Sequence, residues 1–252
     1  MPNHAILNNV QHKHLRVITE RGPQWGDALM SALTFPAEFR DLQACYPIVF
    51  AQNDAGGYDA LALFGFEQGE NLFLGPDGWD APVIPLTVQR QPFMIGRGDG
   101  EELSVHIDMD SPRIRDGAQH GELEGEALFL SYGGTSEYLE HAVSMLRTIH
   151  DGVQAARSFT TALQELDLLE PFVFDVQLDT GAHHRLAGFH AINEERLAAL
   201  SADQLAGLHR AGWLQPVYMS VASLSQFREL VARKNRSQAA DPFAILEGAA
   251  GA

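Results

Sequence analysis

The sequence has a single cysteine, no long apolar run and few basic residues. With Cys45 alone, neither an intramolecular disulfide nor a multi-cysteine zinc site can form. No stretch approaches the roughly 18 consecutive apolar residues that a membrane-spanning helix needs. The polar N-terminal stretch also lacks the basic and then apolar pattern of a signal peptide. These absences predict a cytoplasmic protein without membrane insertion.

The shortage of basic residues leaves a strongly acidic chain. Lysine and arginine number 17 against 33 aspartates and glutamates, a net charge of −16. Such a chain repels phosphate backbones, which argues against a nucleic-acid partner. The apolar fraction of 45% is typical of globular proteins, and 252 residues suffice for a sizeable core. We predict one domain over residues 1–236 and a flexible C-terminal tail over 237–252.

Hydrophobic patterning predicts an α+β fold, in which a curved, mostly antiparallel sheet packs against one long helix and C-terminal helices. Alternating apolar residues over 172–178, a turn, and a return over 184–192 indicate a hairpin. A second hairpin is expected over 46–66, around the turn residues Asn53–Gly57. The Gly- and carboxylate-rich region 96–126 is expected to be largely exposed.

Helical periodicity begins in the middle of the chain. Apolar residues recur at helical spacing from Thr135 to about Glu170, with Thr135 or Ser136 as the N-cap. Ser201 with Gln204 matches a capping box. The short run 217–221 is predicted to be a strand. Basic residues late in the last helix are assigned to its negative C-terminal end: Arg228, Arg233, Lys234 and Arg236.

One sequence pattern suggests a metal site. His106 and Asp108 are two residues apart in a predicted strand and therefore share a face. With a distal histidine such as His184, they would complete the two-histidine, one-carboxylate set that binds Fe(II) in oxygenases. Arg196 could then hold the carboxylate of 2-oxoglutarate. The alternative interpretation of His106 and Asp108 is an exposed strand end that runs into an acidic loop.

A second pattern suggests binding to a peptide or a partner protein. Trp79, Arg90 and Phe93 lie in a segment rich in aromatic residues and proline. Aromatic residues and arginine are the most frequent anchors of protein contacts. The alternative is that Trp79 and Phe93 belong to the core.

Short motifs extend along nearly the whole chain, from about residue 10 to residue 236. They include Tyr46–Phe50, Gly69–Phe73, Trp79–Ala81, Ile84-Pro85, Arg90-x-Pro92-Phe93, Ile107–Pro112, Gly125–Phe129, Leu168–Pro171, Leu186–Phe189, Glu194–Leu197 and Val217-Tyr218. Together these motifs resemble the bacterial SapC family, a soluble family of about this length and distinct from the transmembrane permease of the same name.

The resemblance implies a broad role rather than a mechanism. The family name is linked to surface layers, serum resistance and peptide resistance. Its members occur beside tryptophan-halogenase-like proteins, cupin-like oxygenases and TonB-dependent receptors. This implies an accessory protein for nutrient uptake or peptide modification. We therefore expect a non-catalytic protein that needs no cofactor and binds a peptide or protein through Trp79, Arg90 and Phe93. The alternative is an oxygenase that uses Fe(II) and 2-oxoglutarate.

Overall fold

A computed structural model describes residues 3–97, 103–117 and 124–240. The strands are β1 (His4–Ile6), β2 (Leu15–Val17), β3 (Ser31–Thr34), β4 (Ile48–Gln52), β5 (Tyr58–Leu63), β6 (Leu74–Gly75), β7 (Gly78–Trp79), β8 (Phe93–Arg97), β9 (Leu103–Asp108), β10 (Ile114–Asp116), β11 (Glu126–Ala127), β12 (Leu169–Gln177) and β13 (His183–Ile192). The helices are α1 (Phe39–Leu42), α2 (Leu86–Gln89), α3 (Glu137–Glu165), α4 (Glu194–Ala198), α5 (Ala202–Arg210), α6 (Leu214–Ser223) and α7 (Phe227–Ala240).

The strands described form small antiparallel sheets. The largest has five strands in the order β12-β13-β4-β5-β3. Two sheets have three strands each, in the orders β1-β9-β8 and β10-β2-β11, and β6 pairs with β7. The α+β class, the long helix and the C-terminal helices are therefore confirmed, and both predicted hairpins occur in the five-stranded sheet.

Two clusters of buried apolar side chains form the core. The larger cluster lies at the five-stranded sheet and includes Phe50 and Phe159. The smaller lies at the sheet β1-β9-β8 and includes Phe93, Ile107 and Leu146. The long helix α3 contributes to both, because its first half supplies Leu146 and its second half supplies Phe159. This helix therefore joins the two clusters.

Side-chain capping and backbone conformation determine where α3 begins and ends. The Ser136 side chain accepts a hydrogen bond from the Leu139 N–H at 3.2 Å, which confirms Ser136 as the cap. The helix ends at Glu165, not near Pro171, because Asp167 takes a left-handed backbone with φ of 56°. Near the middle, the Cβ of any other residue at Gly152 would lie 2.3 Å from the buried ring of Phe35. Glycine thus permits the close approach of the helix to this ring.

Two further predictions were wrong, and one lies partly outside the described residues. Residues 217–221 belong to helix α6, where Pro216 fits the first turn and the Ser223 hydroxyl accepts a hydrogen bond from the Ile48 N–H at 2.9 Å. Region 96–126 was predicted to be largely exposed, but most of its described residues are half-buried or buried, and the Arg113 side chain is 1% exposed. Helix α7 continues to Ala240, so residues 237–240 of the predicted tail are helical. Residues 241–252 lie outside the described part.

A buried ion pair accounts for the burial of Arg113. Its Nη2 lies 2.7 Å from both carboxylate oxygens of Asp27, which is 0% exposed. Its Nη1 donates to the carbonyls of Ile18 at 3.0 Å and Glu20 at 2.8 Å. The Gly22 N–H donates to Asp27 at 2.9 Å. These bonds fix the segment between β2 and β3 against the start of β10.

A buried carboxyl group connects β3 with α1 and α2. Glu38 accepts hydrogen bonds from the Leu86 N–H at 2.8 Å and from the Thr34 hydroxyl at 3.0 Å. Burial is the main cause that raises the pKa of Glu38 from 4.5 to about 7. Since the folded pKa exceeds the unfolded one, the stabilising contribution of Glu38 is complete below about pH 4.5 and is lost as the pH rises through about 7.

We expect Glu38→Gln to remove this pH dependence. Glutamine keeps an acceptor for the Leu86 N–H and a donor for the Thr34 hydroxyl, but it does not ionise. Relative to the wild type, the variant should gain roughly 2 kcal/mol of unfolding free energy between about pH 5 and about pH 8. Urea unfolding at both pH values measures this difference. The exposed Asp54 is not among the charges that shift the pKa of Glu38, and it provides the control Asp54→Asn. A similar gain in both variants would contradict the prediction.

Candidate binding groove beside Trp79

The side chain of Trp79 is held by an aromatic and hydrogen-bonded cluster. Its Nε1 donates to the Tyr46 hydroxyl at 2.8 Å, and that hydroxyl donates to the Val83 carbonyl at 2.5 Å. The indole packs edge to face on Phe64, with ring centroids 5.1 Å apart. Burial raises the pKa of the Tyr46 hydroxyl, which therefore stays protonated at physiological pH. The indole is thus fixed on one side and half-buried overall.

An open groove of about 520 Å³ lies beside this indole. Segment 79–82, Cys45 and the first half of α7 form its walls, and Phe73 and Trp79 provide aromatic surface. Two exposed carboxylates line it as well, because the side chains of Asp80 and Glu229 are 74% and 44% exposed. The groove therefore combines a fixed aromatic surface with acidic groups that solvent can reach.

Arg233 is the cation of the groove, and it is already paired. Its guanidinium lies 4.3 Å from the centre of the Phe73 ring, a cation–π contact. It donates to the Asp80 carboxylate at 2.8 Å, and its Nε lies 3.0 Å from a Glu229 oxygen. The sequence pattern predicts that Arg233 stabilises the C-terminal end of its helix, whereas these contacts connect α7 to segment 79–82. Sequence reasoning missed this role because the partners lie far apart in the chain.

Cys45 lines the same groove without the features of a reactive thiol. Burial raises the pKa of the Cys45 thiol, while the Arg233 charge partly opposes that shift. A nucleophilic cysteine needs the thiolate, which a raised pKa disfavours. We therefore interpret Cys45 as part of the apolar wall.

The other two residues predicted to bind a partner lie elsewhere. Phe93 is 1% exposed and belongs to the smaller core cluster. Arg90 is half-buried, and its Nη1 donates to the Phe93 carbonyl at 2.6 Å. Burial lowers the pKa of the Arg90 guanidinium. Of the three residues, Trp79 lines the groove, whereas Arg90 and Phe93 form a contact inside the fold.

The residues predicted as iron ligands lie in different sheets. His106 and Asp108 are on β9, where the His106 ring shares a hydrogen bond of 3.0 Å with the Ser104 hydroxyl. Asp108 accepts from the Asp110 N–H at 3.1 Å. His184 is on β13 in the five-stranded sheet, with its Nδ1 3.0 Å from a Glu67 oxygen.

Arg196, the expected 2-oxoglutarate anchor, donates to the Leu166 carbonyl at 3.2 Å. Within the residues described, no three histidine, cysteine, aspartate or glutamate side chains are grouped to hold a metal ion. Because the structure does not bring the expected ligands together, we do not propose the oxygenase further.

These observations define an α+β protein with antiparallel sheets and an aromatic, acidic groove. None of the helices in the described ranges is long and apolar enough to cross a membrane. The family model of SapC matches residues 7–230, so the chain belongs to the SapC family. No curated protein and no solved structure matches the chain.

Proposed function

We propose that this protein is a non-catalytic binding protein that holds a basic, apolar segment of a partner protein in the groove beside Trp79. The observation that carries the proposal is the fixed Trp79 indole next to the exposed carboxylates of Asp80 and Glu229. An aromatic side chain that is already ordered loses little entropy on binding, and tryptophan is prominent among binding hot spots.

The charge of the groove supports a basic partner. The lining side chains of Asp80, Glu229 and Arg233 carry one net negative charge. Glu229 also accepts a hydrogen bond at 2.8 Å from the exposed Arg236 outside the lining, so Asp80 is the more available carboxylate. The whole chain carries −16, and this charge attracts cations over longer distances. A partner segment would match the groove if an apolar side chain packs on Phe73 and Trp79. Basic side chains of the same segment would pair with the carboxylates. The identity of the bound partner would decide whether the protein assists nutrient uptake or peptide modification.

Short labelled peptides with a central phenylalanine between arginine pairs test the proposal. We expect these peptides to bind with a change in tryptophan fluorescence, and their counterparts with glutamate in place of arginine to bind much more weakly. Trp79→Phe should weaken binding about tenfold, because it removes the larger ring of a fixed anchor. The matched control is Trp213→Phe, since Trp213 packs against Phe159 in the larger core cluster.

Charge-neutralising variants separate the groove from the overall acidity. Asp80→Asn with Glu229→Gln should weaken peptide binding roughly threefold to tenfold, as expected for two exposed charges. Asp54→Asn with Glu165→Gln changes the net charge equally at exposed positions outside the groove. Equal losses in the two double variants, or unchanged binding in Trp79→Phe, would show that the groove is not the binding site.

A further inference from the structure

A separate cleft lies between the sheet β1-β9-β8 and the first half of α3. Its volume is about 370 Å³, which is within the range of pockets for small molecules. Its walls are mostly apolar, and Leu103 is 55% exposed there. The apolar wall residues are Ile95, Leu103, Val105, Val143 and Leu146. The cleft shares no lining residue with the groove beside Trp79.

Two opposite charges line the cleft on its helix side. Arg147 and Asp151 are exposed and four residues apart in α3, a spacing that allows an ion pair along one helix face. Across the residues described, neither side chain makes an ion pair or a side-chain hydrogen bond, and His150 lies between them in sequence and also lines the cleft. An apolar cleft is thus bordered by one free cation and one free anion, about 6 Å apart along the helix axis.

This arrangement matches a zwitterion with an apolar side chain. We propose that the cleft binds a free α-amino acid with a large apolar side chain. Its carboxylate accepts hydrogen bonds from the Arg147 guanidinium, and its ammonium group donates to the Asp151 carboxylate. The apolar side chain lies against Leu103, Val105 and Val143. A fatty acid would use Arg147 and leave Asp151 unpaired, and an amine would do the reverse.

Calorimetric titration of the full chain with L-phenylalanine and L-leucine tests this proposal. We expect both to bind, and we expect N-acetyl-L-phenylalanine and L-phenylalanine methyl ester to bind at least about tenfold more weakly. Each derivative lacks one of the two charges, and hydrogen bonds to charged groups are the strong ones. Absence of binding at millimolar L-phenylalanine overturns the proposal. Equal binding of the acetylated compound also overturns it, because the cleft would then accept any apolar anion.

Variants assign each charge to its partner. Arg147→Gln and Asp151→Asn should each weaken L-phenylalanine binding about tenfold. The methyl ester should bind Arg147→Gln as it binds the wild type, because it has no carboxylate to lose. Arg157→Gln and Glu165→Gln are the controls, since both residues are exposed on the same helix and outside the cleft. Losses of the same size in the controls would overturn the assignment.

The apolar wall has its own test. Leu103→Ser should weaken L-phenylalanine binding severalfold, because it removes apolar surface from an exposed wall position. Leu33→Ser is the matched control, because Leu33 is a strand residue that is 47% exposed and lies outside this cleft. Circular dichroism verifies that the variants remain folded. Unchanged affinity in Leu103→Ser would show that the side chain of the amino acid does not enter the cleft.

Discussion

Asp27→Ala should destabilise the protein by about 3–5 kcal/mol, because it leaves the buried Arg113 charge without its partner. Both side chains are essentially inaccessible to solvent, at 0% and 1% exposure. The carboxylate also accepts the Gly22 N–H, and Arg21 lies 3.3 Å from it. Removing the carboxylate therefore leaves several buried donors unsatisfied at once. Urea unfolding monitored by circular dichroism measures the loss.

A surface pair provides the control for this experiment. Arg185 and Asp175 lie 3.7 Å apart, with both side chains more than 60% exposed. Exposed pairs contribute about 1 kcal/mol or less, so Asp175→Ala should change the unfolding free energy little. The double variant Asp27→Leu with Arg113→Met should be more stable than Asp27→Ala alone, because the unpaired, fully buried Arg113 charge is removed as well. A loss in Asp27→Ala as small as that in Asp175→Ala would contradict the prediction.

Phe159→Ala should also cost about 3–5 kcal/mol, the usual range for truncating a buried phenylalanine. The ring is 0% exposed and packs edge to face on Phe39 and Trp213, with centroids 5.9 Å and 6.1 Å away. Phe50 from the five-stranded sheet lies 6.3 Å away. The ring therefore connects α3 with α1, with the residue that precedes α6 and with the sheet. The loss is measured by the same urea unfolding.

Two further variants show whether the cost comes from the cavity. Phe159→Leu keeps part of the volume and should lose clearly less than Phe159→Ala. Val153→Ala lies on the same helix, but Val153 is 36% exposed, so its truncation should cost less than about 1 kcal/mol. If Val153→Ala were as destabilising as Phe159→Ala, the cost would not come from the buried ring, because alanine has a higher helix propensity than either valine or phenylalanine.

The sequence predicted those elements whose signals are local. The Ser136 cap and the capping box of Ser201 with Gln204 each involve residues within a single helical turn. Both occur in the structure. The alternation of apolar and polar residues over 172–178 likewise predicts a strand, and this segment belongs to β12. Residues 217–221 are helical although their β-branched and aromatic side chains favour strands. Packing against the five-stranded sheet outweighed that preference.

The candidate sites depend on contacts that have no local signature. Asp27 and Arg113 are 86 residues apart, and Arg233 meets Asp80 across 153 residues. Trp79 was identified from composition, and the same reasoning selected Phe93, which is in the core. Composition cannot separate a ring at a groove from a ring in a core, because both are large and apolar. Arg147 and Asp151 also have no local sequence signal, because only the cleft beside them distinguishes them from other exposed charges on the helix.

The long helix has a consequence for how the protein opens. Helix α3 extends about 44 Å and inserts side chains into both core clusters, with Gly152 against Phe35 between them. Local unfolding of either cluster would release half of this helix and withdraw support from the other half. Amide hydrogens in both halves should therefore exchange with solvent through the same global opening, with equal protection. The two clusters would then behave as one cooperative unit, although no sheet connects them among the residues described.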